Sequence, residues 1–241
     1  MPTRQGSGFS EGSLFDEFVG DYEQACAEGL SLSGETRDYF ARQRVLHTKR
    51  LRSTASGADA PVRRLVDFGC GLGHSTPYLL DAFPGASIIG FDRSEASIRA
   101  ARERYAGERV EFASGILPER QRPVDLVYSN GTFHHVDPGH RDDVVAAIVS
   151  WLAPGGLFVL WENNPWNPGT RIVMNRIAFD RGARMLSSPV AARMLRRSGL
   201  DVLGVSSHFY FPAWLRGLRP AEPWLERIPF GAQYCVVARK S

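Results

Sequence analysis

The chain has 241 residues, of which 43% are hydrophobic and 23% charged, and its formal net charge at pH 7 is +3. These values are typical of a water-soluble globular protein, and so small a positive excess gives no reason to expect nucleic acid or a membrane surface as a partner. The three cysteines, Cys26, Cys70 and Cys235, are far apart and form no CxxC pair, which argues against a disulfide framework or a zinc site.

The first 61 residues predict a helical cap followed by a linker. Apolar residues recur at helical spacing from residue 14 to residue 51, with a break at LSLSGE (30–35), and the small and polar residues of 52–61 predict the linker. The N-terminus lacks the apolar core of a signal peptide, and no apolar run is long enough to cross a bilayer. We therefore expect a cytoplasmic protein without stable membrane insertion.

From residue 62 onward, predicted strands and helices alternate. The strand patterns occupy 63–69, 86–92, 109–114, 124–130 and 157–163, and the helical patterns occupy 74–83, 94–105, 141–152 and 188–200. Two further segments, 200–211 and 232–240, predict an antiparallel pair. The alternation predicts an α/β fold for 62–241, a doubly wound and mostly parallel seven-stranded sheet that binds ligands at the carboxyl ends of its strands. The stretch 163–199 interrupts it and predicts a lid after the fifth strand.

The most informative stretch is VDFGCGLGHST (66–76), where a strand pattern runs into a glycine-rich turn. Gly69, Gly71 and Gly73 stand at alternate positions, and a turn this bare lets backbone N–H groups approach a ligand closely. The dinucleotide fingerprint GxGxxG is incomplete, because His74 stands at its sixth position. The GxGxG form suits a ligand without phosphate, whose adenosine and amino-acid parts lie over the turn.

A second acidic residue supports a nucleoside ligand. Asp92 ends the second predicted strand, 25 residues after Asp67 at the end of the first. A carboxylate in this position can accept hydrogen bonds from both hydroxyls of a ribose. NAD enzymes share this feature, so it does not discriminate between cofactors.

Four motifs together resemble the class I S-adenosylmethionine-dependent methyltransferases. They are VDFGCGLGHST (66–76), GFDRS (90–94), VDLVYSNGTFHHV (124–136) and LAPGGLFVLWE (152–162), and the resemblance covers roughly 62–162. FDEFVGDY (15–22) is similar to the cap entry of small-molecule members. The resemblance implies a Rossmann-like sheet, S-adenosylmethionine as cofactor and a small-molecule substrate.

The resemblance also implies a role for individual residues around the cofactor. Asp67 faces the methionine ammonium, Asp92 holds the ribose, and Asn130 offers its carbonyl near the sulfonium. The backbone of Gly69, Cys70 and Gly71 lines the methionine end of the cofactor. Arg93 lies beside the adenine, and Phe15 and Tyr22 close the cofactor site from the cap. Ile116 stands where many relatives have an acid for the adenine amino group, so backbone near Gly115 and Ile116 is expected to take that role.

Three residues are candidates for a general base. His134 and His135 follow the fourth predicted strand, and Glu162 ends the fifth. A histidine titrates near neutral pH, and a carboxylate on this edge can orient a substrate or take its proton. The alternative roles are structural: packing or capping for the histidines, and an ion pair with a lid arginine for Glu162. No metal is expected, because the spacing of His134, His135 and Asp137 is not that of a metal site.

The sequence therefore predicts transfer of a methyl group from S-adenosylmethionine to a small molecule. O-methylation is favoured over N- or C-methylation only by the habit of the family. The alternatives are an NAD(P)-dependent oxidoreductase and a non-catalytic module that binds the cofactor. The arginines of the C-terminal third predict either an anionic substrate or a solvated helix face. No nucleic acid partner is expected, and the protein is expected to be a monomer or homodimer.

Overall fold

The computed structural model describes residues 28–56, 61–115, 123–177, 180 and 182–241. Within these residues the chain forms one seven-stranded sheet with the strand order β3-β2-β1-β4-β5-β7-β6. The strands are β1 Arg64–Phe68, β2 Ser87–Asp92, β3 Val110–Ser114, β4 Val124–Asn130, β5 Leu152–Asn163, β6 Leu200–His208 and β7 Gln233–Lys240.

The pairing confirms the predicted doubly wound sheet. All pairings among β1 to β5 are parallel, whereas β7 runs antiparallel to both β5 and β6. The strand order reverses between β1 and β4 in the middle of the sheet: the chain adds β2 and β3 on one side of β1, and β4 and β5 on the other. Such a switch point leaves a crevice beyond the carboxyl ends of the two strands, where α/β proteins bind ligands.

Helices cover both faces of the sheet. They are α1 Arg37–Ser56, α2 Thr76–Ala82, α3 Glu95–Tyr105, α4 Arg141–Trp151, α5 Pro168–Arg176, α6 Ser188–Arg197 and α7 Glu222–Leu225. Alternate side chains of β5 enter two separate cores: Phe158 and Leu160 pack in one, and Val159 and Trp161 pack in the other. Burial on both faces explains why these strands show continuous apolar runs in the sequence.

The first described helix is longer than its sequence pattern. The break at 30–35 is confirmed as a short 3₁₀ turn, and the Thr36 hydroxyl accepts a hydrogen bond from the Tyr39 amide to start α1. The predicted linker is wrong for 52–56, because α1 continues to Ser56. There the Ser53 hydroxyl donates to the Lys49 carbonyl one turn earlier, so the small polar residues remain compatible with a helix.

The segment after β5 divides into two parts. α5 borders a pocket that is described below, whereas α6 buries Ala191 and Leu195 in a core of the sheet. The assignment of 163–199 as a lid and the boundary between cap and core at residue 61 remain predictions. β5 itself begins at Leu152 and includes the predicted turn 153–156, with an irregular register beside β4. Among the described helices, none has the length and apolar character to cross a membrane.

Candidate active site

The glycine-rich turn is tied to the end of β2. The amides of Gly69 and Cys70 both donate to the Phe91 carbonyl, at 2.7 and 3.1 Å. Gly69 has a φ of +75°, and a Cβ there would lie 2.0 Å from the Thr132 hydroxyl oxygen. Gly71 also has a positive φ, +52°, but a Cβ there would meet no protein atom within 4 Å. Close packing therefore requires the first glycine, while the second faces open space.

Asp92 joins the turn to the following helix. Its Oδ2 accepts a hydrogen bond from the Gly71 amide at 2.9 Å, and its Oδ1 accepts one from the Ser94 amide at 2.9 Å. Burial raises the pKa of Asp92, and the hydrogen bonds from these backbone amides oppose that rise. The Asp92 carboxylate is thus held beside the glycine-rich turn, where the sequence predicts that the ribose binds.

Two buried oxygen acceptors lie at the carboxyl ends of β1 and β4, on either side of the switch point. Neither Asp67 Oδ2 nor Asn130 Oδ1 receives a hydrogen bond from the described residues, and Asp67 is only 2% exposed. Burial, and then the nearby Asp92 charge, raise the pKa of Asp67 to about 7, while Arg44 opposes the rise. Buried acceptors without donors are unfavourable, so this pair fits a ligand that brings N–H groups, such as an amino acid ammonium.

The three predicted base candidates come together in one buried network. Glu162 Oε1 accepts from the Phe133 amide at 2.7 Å, and Glu162 Oε2 lies 2.7 Å from His134 Nδ1. Asp180 closes the network, with its Oδ1 3.5 Å from His134 Nε2 and 3.1 Å from His135 Nε2. Both oxygens of Glu162 and both ring nitrogens of His134 are therefore occupied.

The network keeps a proton on His134. Burial alone would lower the pKa of His134, but the facing carboxylates of Glu162 and Asp180 raise it to about 10. Burial would raise the pKa of Asp180, yet the hydrogen bonds from the two histidines lower it. At neutral pH, His134 is thus an imidazolium between two carboxylates, an arrangement that fixes the chain after β4.

A pocket of about 380 Å³ begins beside this network. Asn130 and His135 line it, and because Asn130 ends β4, the pocket reaches the crevice at the switch point. Apolar side chains from α1, α5 and the residues after β6 form much of its wall, including Phe40, Val173 and Tyr210. Such a mixture of apolar walls and a few polar groups is typical of small-molecule sites.

Among the described residues, three arginines line the pocket, Arg37, Arg44 and Arg219, together with the acidic residues Glu35 and Asp180. Arg44 is 7% exposed and donates from Nη1 to Gln233 Oε1 at 3.0 Å. Arg219 pairs with Glu35 at 2.7 Å and lies over the Tyr39 ring, 4.7 Å from its centre. The pocket therefore has a buried positive charge at Arg44.

The remaining predicted cofactor residues have fewer contacts that tie them to the site. Arg93 and Gly115 are exposed beyond β2 and β3, while the Cys70 thiol is buried, which raises its pKa well above the ordinary value. Phe15, Tyr22 and Ile116 lie outside the described residues. Sequence reasoning missed Arg44 and Asp180, because neither belongs to a motif and both meet the site only through the fold.

Comparison with known proteins identifies the domain. Residues 66–158 match the family model described as "Methyltransferase domain". A trans-aconitate 2-methyltransferase of Variovorax paradoxus is 36% identical over 119 residues, which are 48% of this chain and 45% of that protein. The enzyme of the same name from Paracidovorax citrulli is 31% identical over 171 residues, 70% of this chain and 61% of that one. The chain thus spans about half the length of the curated relatives it matches.

Solved structures share the fold at low sequence identity. A possible histamine N-methyltransferase from Thermotoga maritima aligns over 95% of this chain and 99% of its own, with a TM-score of 0.62 and 20% identity. The geranyl diphosphate C-methyltransferase of Streptomyces coelicolor, solved with S-adenosyl-L-homocysteine, aligns over 81% of this chain and 76% of its own, with a TM-score of 0.58 and 17% identity.

The bare turn and the carboxylates Asp67 and Asp92 lie in the part of the chain that matches the methyltransferase domain. In its sheet topology and its sequence relatives the chain is similar to the class I S-adenosylmethionine-dependent methyltransferases, whose cofactor is S-adenosylmethionine.

Proposed function

We propose that the chain transfers a methyl group from S-adenosylmethionine to a carboxylate oxygen of a small organic acid. The observation that carries the proposal is the position of Asn130, which borders both the switch-point crevice and the arginine-lined pocket. The names of the relatives support it, since several are trans-aconitate 2-methyltransferases and aconitate is an acid anion. The matched segments cover only part of the length of these relatives, so the residues of the pocket carry the choice of acceptor.

The crevice residues bind and orient the cofactor. Asp67 Oδ2 and Asn130 Oδ1 accept the N–H groups of the methionine ammonium, because both oxygens are buried without a donor. Asp92 accepts from the ribose hydroxyls beside Gly71, whose missing side chain leaves room for the ligand. When bound, the cofactor supplies a methyl group that is already electrophilic, so the protein needs mainly to align the acceptor and exclude water.

Glu162 and His134 do not provide a free general base. Glu162 is 1% exposed and paired with His134, and His134 holds its proton at neutral pH. A phenol, alcohol or ammonium acceptor has to lose a proton before or during attack, and such a base would help it. A carboxylic acid is already ionised at neutral pH and attacks without proton transfer. A carboxylate acceptor therefore needs neither Glu162 nor His134 as a base.

Arg44 is the residue best placed to hold the acceptor. It lines the pocket together with Asn130, it is almost fully buried, and it acts electrostatically on Asp67. A guanidinium in a desolvated site binds a carboxylate through charge-assisted and often bidentate hydrogen bonds. Arg37 lines the same pocket and suits a further carboxylate of a di- or tricarboxylic acid, whereas Arg219 is paired with Glu35.

Methyl transfer to a panel of acceptors tests the proposal. Purified protein is incubated with methyl-labelled S-adenosylmethionine and either trans-aconitate, other di- and tricarboxylates, phenols or primary amines. We expect label in a product that mild alkali hydrolyses, which is the behaviour of a methyl ester. Labelling of phenols or amines but of no acid contradicts the acceptor class. Adenosylhomocysteine binding without turnover of any acceptor supports the non-catalytic module.

A further inference from the structure

A second cluster of metal-binding side chains lies away from the switch-point crevice. It consists of His47 on α1, His208 at the end of β6 and Glu226 directly after α7, and one ligand atom from each lies within 4.8 Å of the others. We propose that these three residues form a binding site for a divalent transition-metal ion, which holds α1 to the C-terminal segment of the chain. Two imidazoles and one carboxylate are a ligand set that suits Zn²⁺, Co²⁺ or Ni²⁺.

The distances are close to those that one shared ion requires. The ring centres of His47 and His208 are 4.5 Å apart. At a metal–nitrogen distance of about 2.1 Å, each ring centre lies about 3.2 Å from the ion, so this separation corresponds to an angle near about 90°. His208 Nδ1 lies 4.0 Å from Glu226 Oε1, and an inward movement of the carboxylate by under about 1 Å gives a normal coordination edge.

A hydrogen-bond partner outside the cluster orients His208. The Ser206 hydroxyl lies 2.7 Å from His208 Nε2, so it can fix the ring and leave Nδ1 directed towards Glu226. Metal-bound histidines commonly have such a hydrogen bond on the second ring nitrogen.

The surroundings leave room for a further ligand. A pocket of about 330 Å³ borders all three side chains, so water can complete the coordination sphere. Arg50 forms an ion pair with the Glu226 carboxylate, and nearly half of the Arg50 side chain is exposed. Arg50 therefore competes for Glu226 from the solvent side, while Arg219 and Glu222 lie across the pocket.

The site has a structural consequence for the substrate pocket. Tyr39 and Arg219 line both this second pocket and the larger one described above. An ion bound by α1, β6 and the residues after α7 would brace the wall that the two pockets share. This inference does not depend on the acceptor of the methyl transfer, because metal binding is measured without cofactor or substrate.

Cobalt titration of the full chain, stripped of metal with a chelator, tests the site. We expect one equivalent of Co²⁺ to bind with a saturable visible absorption band, and Zn²⁺ to displace it. The variants His47→Ala and Glu226→Gln should weaken the Co²⁺ affinity at least about tenfold, because each removes one of three ligands. The variant Arg50→Ala should retain or strengthen it, because the competing guanidinium is removed.

Two variants distinguish this site from other histidines. His140→Ala changes a partly exposed histidine elsewhere and should leave the Co²⁺ titration unchanged. His135→Ala removes a residue of the other histidine-rich cluster, formed with His134 and Asp180. The proposal is overturned if the wild-type protein shows no saturable band, if His47→Ala keeps it in a folded protein, or if His135→Ala alone abolishes it.

Discussion

The carboxylate of Glu162 and the imidazole of His134 form a buried pair, with 2.7 Å between Oε2 and Nδ1, at the base of the candidate active site. The pair connects the end of β5 to the turn after β4, and Asp180 extends it to His135. Two residues that the sequence offers as general bases are thereby tied to each other. Their contribution is to hold the inner wall of the pocket in one arrangement.

Glu162→Gln should mainly reduce stability. The variant leaves a buried imidazolium with one carboxylate partner fewer, so we expect a loss on the order of 3–5 kcal/mol in the free energy of unfolding. Chemical denaturation measures this loss. Glu111→Gln on β3 removes an exposed carboxylate and should change stability little. A fully stable Glu162→Gln variant would contradict the role of the pair.

The same pair gives the stability a specific pH dependence. The pKa of His134 is raised from 6.5 to about 10, so its contribution is fully present below pH 6.5 and is lost as the pH rises through about 10. The difference in unfolding free energy between wild type and Glu162→Gln should therefore shrink over this interval. A difference that is constant from pH 6.5 to pH 10 would show that His134 is not protonated in the native protein.

Cofactor affinity should depend on the ionisation of Asp67. Its pKa is about 7, raised by burial and by Asp92 and opposed by Arg44, and only the ionised form attracts an ammonium strongly. Calorimetry with adenosylhomocysteine should show nearly constant affinity above pH 7 and about a tenfold loss per pH unit below it. Asp67→Asn should bind weakly and without this slope. A wild-type affinity that does not change with pH removes Asp67 from the ammonium site.

Gly71→Ala should block the cofactor at a modest cost to the fold. The added Cβ meets no protein atom within 4 Å and extends into the ligand space, while the positive φ costs about 1–2 kcal/mol. Gly155→Ala is the matched control, because Gly155 has a φ of +77° and equally open surroundings far from the crevice. We expect similar stability losses in both variants and lost adenosylhomocysteine binding only in Gly71→Ala. Normal binding by Gly71→Ala contradicts the assignment of the turn.

Arg44→Lys should impair recognition of the acceptor. Lysine keeps the charge but lacks the planar guanidinium that binds a carboxylate with two hydrogen bonds. We expect KM for the acid substrate to rise about tenfold or more, with a smaller change in kcat and in cofactor affinity. Arg196→Lys on the exposed side of α6 should leave both constants unchanged. Unaltered kinetics in Arg44→Lys would place the acceptor elsewhere in the pocket.

The sequence predicts the sheet well because each buried parallel strand leaves a pattern within a few consecutive residues. β1 and β4 are buried on both faces, so each appears as an apolar run that ends at a turn. The positions of Asp67, Gly71 and Asp92 beside one another also follow from strand ends and the turn alone. These elements need no knowledge of distant contacts.

Other parts of the site depend on contacts that leave no local pattern. Asp180 lies 46 residues after His134, in a segment without helical or strand period, and only the folded chain brings the two together. Arg44 is one of several basic residues on α1 and is indistinguishable in sequence from those that face solvent. The extension of α1 to Ser56 is missed because propensity alone cannot report the hydrogen bond that Ser53 makes to the preceding turn.

A crystal structure with adenosylhomocysteine bound tests the central claim most directly. The account predicts that the amino group of the ligand lies within hydrogen-bonding distance of Asp67 Oδ2 and Asn130 Oδ1, that Asp92 contacts the ribose, and that the sulfur faces the arginine-lined pocket. A ligand bound elsewhere, or with its sulfur directed away from Arg44 and Asn130, would contradict both the cofactor site and the proposed acceptor pocket.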